Sequence, residues 1–335
     1  RILNPKARVR VPELGELGYP PEQLAMLERA TSGDGGAVIL AGMVGSGKST
    51  TLASLVRTIP RCRKVITLED PVEYVIENAL QCLVASLEEH SDGRDLAGKL
   101  KTIKRSAVHD VLIGEIRDRT GGQALVDLVL SGISVYTTLH ASSVFQIMLR
   151  LTSAMIGMPP SLAAMPGVIK LLVYQALLPK LCTSCALPLD QWLSQTQTSC
   201  ALGRHRSRQW FEQWWSRVVR ATDVDPTQVR FRRLEGCPHC QFTVNESLAG
   251  HSGYSGYSGR LMLAEMIEPA AESVFFASIA KRGLSEQVAK WQSSLLHEGV
   301  CELNHYLPVR SRAIDCLSQG VLDPRDFECR FGAIR

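Results

Sequence analysis

The segment that most constrains this chain is the run at residues 42–49, which reads GMVGSGKS. It fits the pattern G-x-x-x-x-G-K-[ST], in which glycines let the backbone curl until successive N–H groups point at phosphate oxygens. In such a loop Lys48 reaches the β- and γ-phosphates, and the Ser49 hydroxyl holds Mg²⁺. The run therefore predicts a site for ATP with its magnesium ion. The residues predicted to bind the nucleotide are Gly42, Gly45, Ser46, Gly47, Lys48, Ser49 and Thr50.

The residues on either side of this loop support the same interpretation. Before it, Ala37–Ala41 is a short apolar run of the kind that becomes a buried parallel strand. After it, Leu52, Leu55, Val56 and Ile59 recur at helical spacing. Strand, glycine-rich loop and helix thus follow in the order that turns a helix N-terminus towards the phosphates. A chance glycine-rich turn is the alternative, and these flanks argue against it.

Length and composition are those of a soluble globular protein with room for two or three domains. The 335 residues are 45% hydrophobic and 21% charged, and the net charge of +4 is too small to argue for nucleic acid. The longest apolar run, residues 168–178, contains Lys170 and Gln175 and is shorter than the roughly 18–20 residues of a membrane span. The chain begins at Arg1 rather than Met and shows no signal peptide, so we expect a fragment that lacks an N-terminal portion.

Polar residues follow three further strand-like runs: Glu69 follows residues 65–68, Glu115 follows residues 111–113, and His140 follows residues 133–139. Taken singly, a carboxylate after a strand is more often a helix cap or a solvated turn, and a lone histidine is usually structural. Ligands of open parallel sheets, however, bind at the carboxyl ends of the strands. We therefore expect these side chains to meet the phosphate loop at one edge of a sheet.

The residue types suit phosphoryl transfer to water. That reaction needs charge neutralisation, which Lys48, Mg²⁺ and the loop amides would supply, and a carboxylate that orients or deprotonates the attacking water. Glu69 and Glu115 are the candidates for this carboxylate, and Glu115 also for Mg²⁺, through a water molecule. We expect His140 to sense the γ-phosphate. Arg117 is either a charge clamp on the nucleotide or one half of a structural salt bridge.

Four of the ten cysteines form two C-x-x-C pairs, Cys182 with Cys185 and Cys237 with Cys240. This spacing is typical of a structural Zn²⁺ site, in which four thiolates fill a tetrahedral coordination sphere and leave no place for water. Two alternatives stay open on spacing alone, namely two pairs of free cysteines or a redox pair. Because a phosphate loop indicates a reducing cytosol, we do not expect disulfides.

The segment between the cysteine pairs is rich in tryptophan. It holds four of the chain's five tryptophans, Trp192, Trp210, Trp214 and Trp215, with arginines interleaved. Contact with nucleic acid or with a membrane surface is one interpretation of such a segment. We favour a helical hairpin that is packed or faces a partner, because Trp210 and Trp214 share one helical face.

Taken in order, the motifs resemble those of a known family. They are the loop at 42–49, LEDPVEY at 68–74, IGEIRD at 113–118 and TLH at 138–140. This series looks like the Walker A motif, aspartate box, Walker B motif and histidine box of the secretion ATPase superfamily. The most similar branch is the type II secretion and type IV pilus assembly ATPases, and the resemblance runs from Arg1 to the C-terminus.

The resemblance implies a hexameric ring that hydrolyses ATP and drives pilin or pseudopilin assembly through an inner-membrane platform protein. It implies a cytoplasmic protein, peripheral at the inner face of the membrane, and no direct contact with nucleic acid. It assigns Glu69 and Glu115 to the water and the metal, and His140 to the γ-phosphate site. Assembly members of the family carry a tetracysteine zinc site that retraction members typically lack, so the cysteine pairs favour assembly.

Three departures from the family pattern bear on these expectations. Gly132 precedes Ile133 where the family often has Gly-His, so one of two usual histidines is absent. Met43 and Val44 replace a usual Pro-Thr, at positions whose side chains are not ligands. We also expect that the preceding domain, which in the family supplies arginines to the active site, is missing from this chain. We therefore expect this chain alone to bind nucleotide better than it hydrolyses it.

We predict an α/β protein with three parts: a RecA-like phosphate-loop ATPase core over residues 1–180, a tetracysteine zinc subdomain with the helical insert over 181–260, and a C-terminal helical domain over 261–335. Within these parts, residues 253–260 are expected to be a linker that enters a strand at 261–266. The predicted function is a motor for pilus or pseudopilus assembly. The alternatives are a retraction or conjugation-type ATPase, and, from another class, a zinc-stabilised nucleic-acid-binding module with an accessory ATP site.

Overall fold

The computed structural model describes residues 10–84, 94–194, 204–240, 255–272, 286 and 308–333. The chain divides into two compact units. The first comprises the described residues of Arg1–Ala176 and Ala264–Tyr306, and the second those of Leu177–Leu263 and Leu307–Arg335. The three domains at 1–180, 181–260 and 261–335 stay a prediction.

One sheet of seven strands organises the α/β fold. Its strands are β1 (Ala37–Ala41), β2 (Val65–Glu69), β3 (Ala79–Leu83), β4 (Asp110–Ile113), β5 (Ser134–Leu139), β6 (Ile169–Leu181) and β7 (Tyr257–Ile267). Their order across the sheet is β3-β2-β4-β5-β1-β6-β7. Every pairing from β3 across to β6 is parallel, so the carboxyl ends of these strands lie at one edge of the sheet.

Helices connect the strands. They are α1 (Pro21–Thr31), α2 (Lys48–Arg57), α3 (Arg94–Lys104), α4 (Arg119–Leu130), α5 (Val144–Thr152), α6 (Pro160–Ala163), α7 (Leu189–Leu193), α8 (Arg208–Thr222), α9 (Val309–Ser318) and α10 (Pro324–Phe331). Two short 3-10 helices span Leu14–Leu17 and Pro269–Ala271. In the part of the chain described here, no helix combines the length and the apolar character that a membrane span requires.

The central strands follow from their apolar sequences. Every residue of β1, β4 and β5 is buried, as expected for parallel strands covered on both faces. The strands predicted before the phosphate loop, before Glu69, before Glu115 and before His140 are confirmed as β1, β2, β4 and β5. The helix predicted after the loop is confirmed as α2, which buries Leu52, Leu55 and Val56.

Two strands differ from the sequence-based expectation. The apolar run at residues 168–178 was not assigned to a strand, but all of it except Val168 lies in β6. The linker predicted at residues 253–260 is wrong for its last four residues, because β7 already begins at Tyr257. The strand expected at 261–266 lies inside β7.

The second unit has an aromatic core built from the tryptophan-rich segment. Trp192 of α7 stacks on Phe231, with ring centroids 4.9 Å apart and an interplanar angle of 18°. Trp214 and Trp215 of α8 are buried as well, and Trp214 packs edge-on against Phe231. The packed interpretation is therefore confirmed for these three tryptophans. Of the C-terminal helices, α9 and α10 belong to this unit, whereas residues 273–285 and 287–307 lie outside the described residues.

Candidate nucleotide site and cysteine cluster

The phosphate loop connects the end of β1 to the start of α2. Gly45 and Gly47 have φ angles of 79° and 84°, a left-handed backbone that glycine adopts without strain. Because α2 begins at Lys48, the loop ends at a helix N-terminus. Backbone N–H groups and the helix dipole favour an anion at such a position. The loop thus has the local geometry that the motif predicts.

Gly42 lies too close to its neighbours to carry any side chain. A Cβ atom on Gly42 would be 2.4 Å from Ser46 Oγ and 2.5 Å from the backbone oxygen of Gln175. The Gln175 oxygen belongs to β6 and cannot rotate away. Glycine at this position therefore lets the first turn of the loop rest directly against β6.

Lys48 is half-buried and folds back over the loop that precedes it. Its Nζ atom donates to the Gly42 oxygen at 2.8 Å and to the Met43 oxygen at 3.1 Å. Burial lowers the pKa of Lys48, and the nearby Glu115 and Glu73 act in the opposite direction. The ammonium therefore lies within the electrostatic reach of the carboxylates that follow the neighbouring strands.

Glu115 and His140 meet at the carboxyl edge of the sheet. Ile113 at the end of β4 pairs with Thr137 of β5, which brings the residues just beyond the two strand ends together. His140 Nε2 lies 3.1 Å from Glu115 Oε1, and Arg117 Nε donates to Glu115 Oε2 at 2.8 Å. Both oxygens of the Glu115 carboxylate thus face a nitrogen. For Arg117 the structure shows the salt bridge, and its contact with nucleotide stays a prediction.

Glu69 ends β2 and lies beside the end of β4. Thr67 Oγ1 and Gln81 Nε2 both donate to Glu69 Oε1, at 2.6 Å and 3.1 Å. Burial raises the pKa of Glu69 above its ordinary value, and the Glu73 carboxylate raises it further. A Cβ atom on Gly114 would be 4.0 Å from Glu69 Cγ, so the chain leading from β4 to Glu115 passes next to Glu69.

These groups fit a magnesium nucleotide by their chemistry. Ser49 is exposed in the first turn of α2, and its hydroxyl is an oxygen donor of the kind Mg²⁺ prefers. Glu115 offers a carboxylate, and Lys48 offers the cation that phosphoryl transfer requires. The carboxyl edge of the sheet therefore carries a coherent set of groups for ATP and Mg²⁺.

One residue in contact with this site, Gln81, lies outside every motif recognised in the sequence. Gln81 lies on the edge strand β3 and donates to both Glu69 and the backbone oxygen of Tyr74. Tyr74 in turn shares a hydrogen bond of 2.8 Å with Thr50 of α2. Only the pairing of β3 with β2 brings Gln81 next to Glu69.

The four paired cysteines form one cluster in the second unit. Their sulfur atoms all lie within 4.8 Å of one another, and Cys182 Sγ is 3.8 Å from Cys237 Sγ. Tetrahedral Zn²⁺ with bonds of about 2.3 Å separates its sulfur ligands by about 3.8 Å, whereas a disulfide requires about 2.05 Å. The cluster therefore fits a structural zinc ion, and it brings the two C-x-x-C motifs together instead of leaving two separate pairs.

Backbone N–H groups donate to one sulfur of the cluster. Cys237 N and Gly256 N both donate to Cys240 Sγ, at 3.1 Å and 3.3 Å. A backbone hydrogen bond involving Cys240 lowers the pKa of Cys237 to about 7, while burial raises the pKa of Cys182 and of Cys185. Gly256 falls in the segment predicted to be a plain linker, and this contact with the cluster was missed.

A phosphate loop at the carboxyl edge of a parallel sheet, together with strand-end carboxylates, defines a nucleotide-binding protein of the phosphate-loop class. The family follows from comparison with known proteins. Residues 1–303 match the family model described as type II/IV secretion system protein, and the chain belongs to that family. The family predicted from the motifs is thereby confirmed.

Curated relatives agree with this family. The chain is 35% identical over 194 residues to type II secretion system protein HxcR of Pseudomonas aeruginosa, a match that covers 57% of this chain and 39% of that protein. It is 30% identical over 180 residues to type IV pilus assembly ATPase PilB of Myxococcus xanthus, covering 53% of this chain and 30% of that protein. This chain thus spans less than half the length of either relative.

Solved structures share the fold. The ATPase DotB of Legionella pneumophila superposes with a TM-score of 0.57 at 19% identity, covering 96% of this chain and 66% of that one. The pilus retraction motor PilT with bound ADP also gives a TM-score of 0.57, at 17% identity, covering 97% of this chain and 68% of that one. At such identities the likeness shows the fold alone, and it confirms the predicted class of fold.

Proposed function

We propose that this chain is the ATP-hydrolysing part of a hexameric motor that assembles a type IV pilus or a type II secretion pseudopilus. The observation that carries the proposal is that the polar groups predicted to act on ATP lie together at one edge of the sheet. There the phosphate loop, Glu69 and the Glu115–His140 pair occupy the carboxyl ends of neighbouring parallel strands. Membership of the secretion family supports the same activity.

Each residue has a role in the proposed hydrolysis. Lys48 exchanges its bonds to the Gly42 and Met43 oxygens for phosphate oxygens, and so neutralises charge where it develops. Ser49 and, through water, Glu115 hold Mg²⁺. Glu69 or Glu115 orients the attacking water, and its pKa must lie near the working pH for it to accept a proton well. The raised pKa of Glu69 suits that task.

His140 and Arg117 prepare Glu115 in the proposed site. They bind the two carboxylate oxygens of Glu115 at 3.1 Å and 2.8 Å, so they hold this side chain in place before the nucleotide enters. The oxygens of a γ-phosphate bound at the loop would be new acceptors for both nitrogens. We infer that His140 responds to the γ-phosphate through its shared contact with Glu115.

The cysteine cluster supports assembly as the direction of the motor. The cluster of Cys182, Cys185, Cys237 and Cys240 could hold zinc, as expected of the tetracysteine site in assembly members of the family. One curated relative is itself named a type IV pilus assembly ATPase. The proposed partners are further copies of the same protein in a ring and an inner-membrane platform protein, with the motor peripheral at the inner face of that membrane.

The substitution Glu115→Gln tests the catalytic proposal. Gln keeps the size of the side chain but loses the carboxylate that would hold Mg²⁺ through water or orient the attacking water, so hydrolysis by the natural protein should fall by roughly 100-fold or more. Binding of Mg²⁺-ATP should persist, because the phosphate loop is untouched. Glu28→Gln, at an exposed position of α1, is the control and should hydrolyse ATP normally. Normal turnover in Glu115→Gln would show that the role given to Glu115 is wrong.

The same substitution in the source cells tests the direction of the motor. If the motor assembles a filament, cells carrying Glu115→Gln should lose surface pili or a secreted protein, and cells carrying Glu28→Gln should retain them. Cells that accumulate pili would identify a retraction motor instead. Electron microscopy of the cell surface and an assay of secreted protein provide the measurement.

A further inference from the structure

A buried chain of hydrogen bonds ends on the phosphate loop. Thr51 Oγ1 lies 3.0 Å from Tyr19 OH, Tyr19 OH lies 2.8 Å from Gln175 Oε1, and Gln175 Nε2 lies 2.7 Å from the backbone oxygen of Ser46. Tyr19 lies just before α1, Thr51 on α2 and Gln175 on β6, so three separate segments of the first unit contribute. Tyr19 is 5% exposed, and Thr51 and Gln175 are 0% exposed.

The donors in this chain have only one consistent arrangement. The Ser46 carbonyl only accepts, so the Gln175 amide must turn its NH₂ group to Ser46 and its oxygen to Tyr19. Tyr19 therefore donates its hydroxyl hydrogen to Gln175, and the Thr51 hydroxyl donates to the Tyr19 oxygen. Burial raises the pKa of Tyr19, which keeps its phenol neutral and able to donate. The chain thus runs in one direction, from α2 to the loop.

Holding the Ser46 carbonyl fixes the orientation of the next amide. In a planar trans peptide the C=O and the following N–H point in opposite directions. With the Ser46 oxygen turned to Gln175, the N–H of Gly47 is directed away from β6. Gly42 is held against the backbone oxygen of the same Gln175. Gln175 therefore contacts the loop at two points, at Ser46 through its side chain and at Gly42 through its backbone.

We propose that Tyr19 and Gln175 are positioning residues for nucleotide binding: they hold the Ser46–Gly47 peptide in the orientation that a phosphate requires. The inference rests on the proposed function, because it concerns the ATP site of the same motor. It adds two residues outside every motif recognised in the sequence. Neither touches the nucleotide, and both act through the backbone of the loop.

A second buried tyrosine supplies a matched control. Tyr136 of β5 is 0% exposed and donates to Asp110 Oδ1 at 3.2 Å. Asp110 is the first residue of β4, at the amino ends of the strands and away from the phosphate loop. Removing the Tyr136 hydroxyl therefore also deletes a buried hydrogen bond, but one without contact with the loop.

The test measures the dissociation constant of the methylanthraniloyl fluorescent analogue of ATP, with Mg²⁺, for the chain and its variants. Tyr19→Phe keeps the ring and removes the hydroxyl, and it should weaken binding by about 3- to 10-fold, the range of one hydrogen bond. Gln175→Met keeps the length of the side chain and should weaken binding at least as much. Because the two residues belong to one series of hydrogen bonds, the double variant should bind the analogue no more weakly than the weaker-binding single variant.

Tyr136→Phe should lower the melting temperature about as much as Tyr19→Phe does, yet it should bind the analogue like wild type.

Each result decides between the proposals. If wild type binds the analogue and Tyr19→Phe and Tyr136→Phe both show the wild-type dissociation constant, the positioning role of Tyr19 is wrong, although the proposed ATP site still stands. A wild-type chain that does not bind the analogue would overturn the proposed function itself. If Gln175→Met does not fold, Tyr19→Phe alone decides, since its phenyl ring fills the same space.

Discussion

At the residue scale, Glu69 is a carboxylate held where a neutral group would be more stable. Burial, and then the neighbouring Glu73, raise its pKa, although Thr67 and Gln81 donate to it. A raised pKa in the folded state means that the charged form costs stability. The stability contribution of Glu69 is therefore present at low pH and is lost as the pH rises through its folded pKa.

The direction of this pKa shift predicts how Glu69→Gln changes the stability of the chain. The amide oxygen of Gln still accepts from Thr67 and Gln81, and it carries no charge at any pH. We expect the melting temperature at pH 8 to rise by roughly 2 °C over wild type, and the gain to shrink towards zero near pH 4. Thermal unfolding of both proteins across this range is the measurement.

The exposed Glu28→Gln variant again serves as the control, with no pH-dependent gain expected. An equal gain for Glu69→Gln at both pH values would show that charge burial is not the cause. Loss of ATP hydrolysis alongside the gain in stability would mark Glu69 as a residue kept for activity at a cost in stability.

At the element scale, two glycines inside helices have opposite surroundings. A Cβ atom on Gly122 of α4 would be 2.3 Å from the backbone oxygen of Ile156, so the helix packs there at a distance that only glycine permits. A Cβ atom on Gly98 of α3 would meet no atom within 4 Å. Gly122→Ala should therefore destabilise the chain by about 1–3 kcal/mol through overpacking.

Gly98→Ala is the matched comparison. It replaces a poor helix former by the best one in open space, and it should stabilise the chain by about 0.5–1 kcal/mol. Urea denaturation followed by circular dichroism compares the two midpoints. Midpoints that move in the same direction would contradict the packing of α4 seen here.

The strands show how much of the fold can be predicted from the sequence. β1, β2 and β4 are mostly apolar and β5 is rich in β-branched residues, and such runs indicate buried strands directly. β3 was not predicted, because its sequence ALQCL is a short apolar run interrupted by Gln81 with no regular alternation, and as an edge strand it buries only Ala79. Gln81 and its contact with Glu69 were missed for the same reason.

The residues of the site likewise divide into those that could be predicted from the sequence and those that could not. The phosphate loop, Glu115 and His140 lie in short local patterns and are predictable from residues close in sequence. Tyr19 and Gln175 are 156 residues apart, and only the pairing of β6 with β1 brings Gln175 to the loop. Hydrogen bonds across such separations depend on the sheet order, which no local pattern contains.

At the scale of the whole molecule, the cysteine cluster closes a long stretch of the second unit. Cys182 and Cys237 are 55 residues apart, and the buried tryptophans lie on the chain between them. Zinc bound by both pairs would hold the ends of this stretch together, so binding energy becomes folding energy. Cys182→Ser should lose about one zinc ion per chain and lower the melting temperature by roughly 5–10 °C.

Cys316→Ser is the control for this prediction, because Cys316 lies on α9 in the same unit and outside the cluster. It should keep its zinc and its melting temperature. Elemental analysis of the purified proteins gives the zinc content, and a strong chelator should destabilise wild type but leave Cys182→Ser unchanged. A Cys182→Ser protein as stable as wild type, or a wild type without metal, would refute the zinc site.

The hydrogen bonds of Tyr19 bear on how this protein is dissected. The recognisable motifs begin with the strand at Ala37–Ala41, and a fragment cut there would retain every one of them. It would lack Tyr19, and with it the donor that orients the Gln175 amide. If Tyr19 has the proposed positioning role, a minimal nucleotide-binding fragment has to start upstream of Tyr19. The N-terminal boundary of such a fragment would then lie before the boundary that motif matching alone would choose.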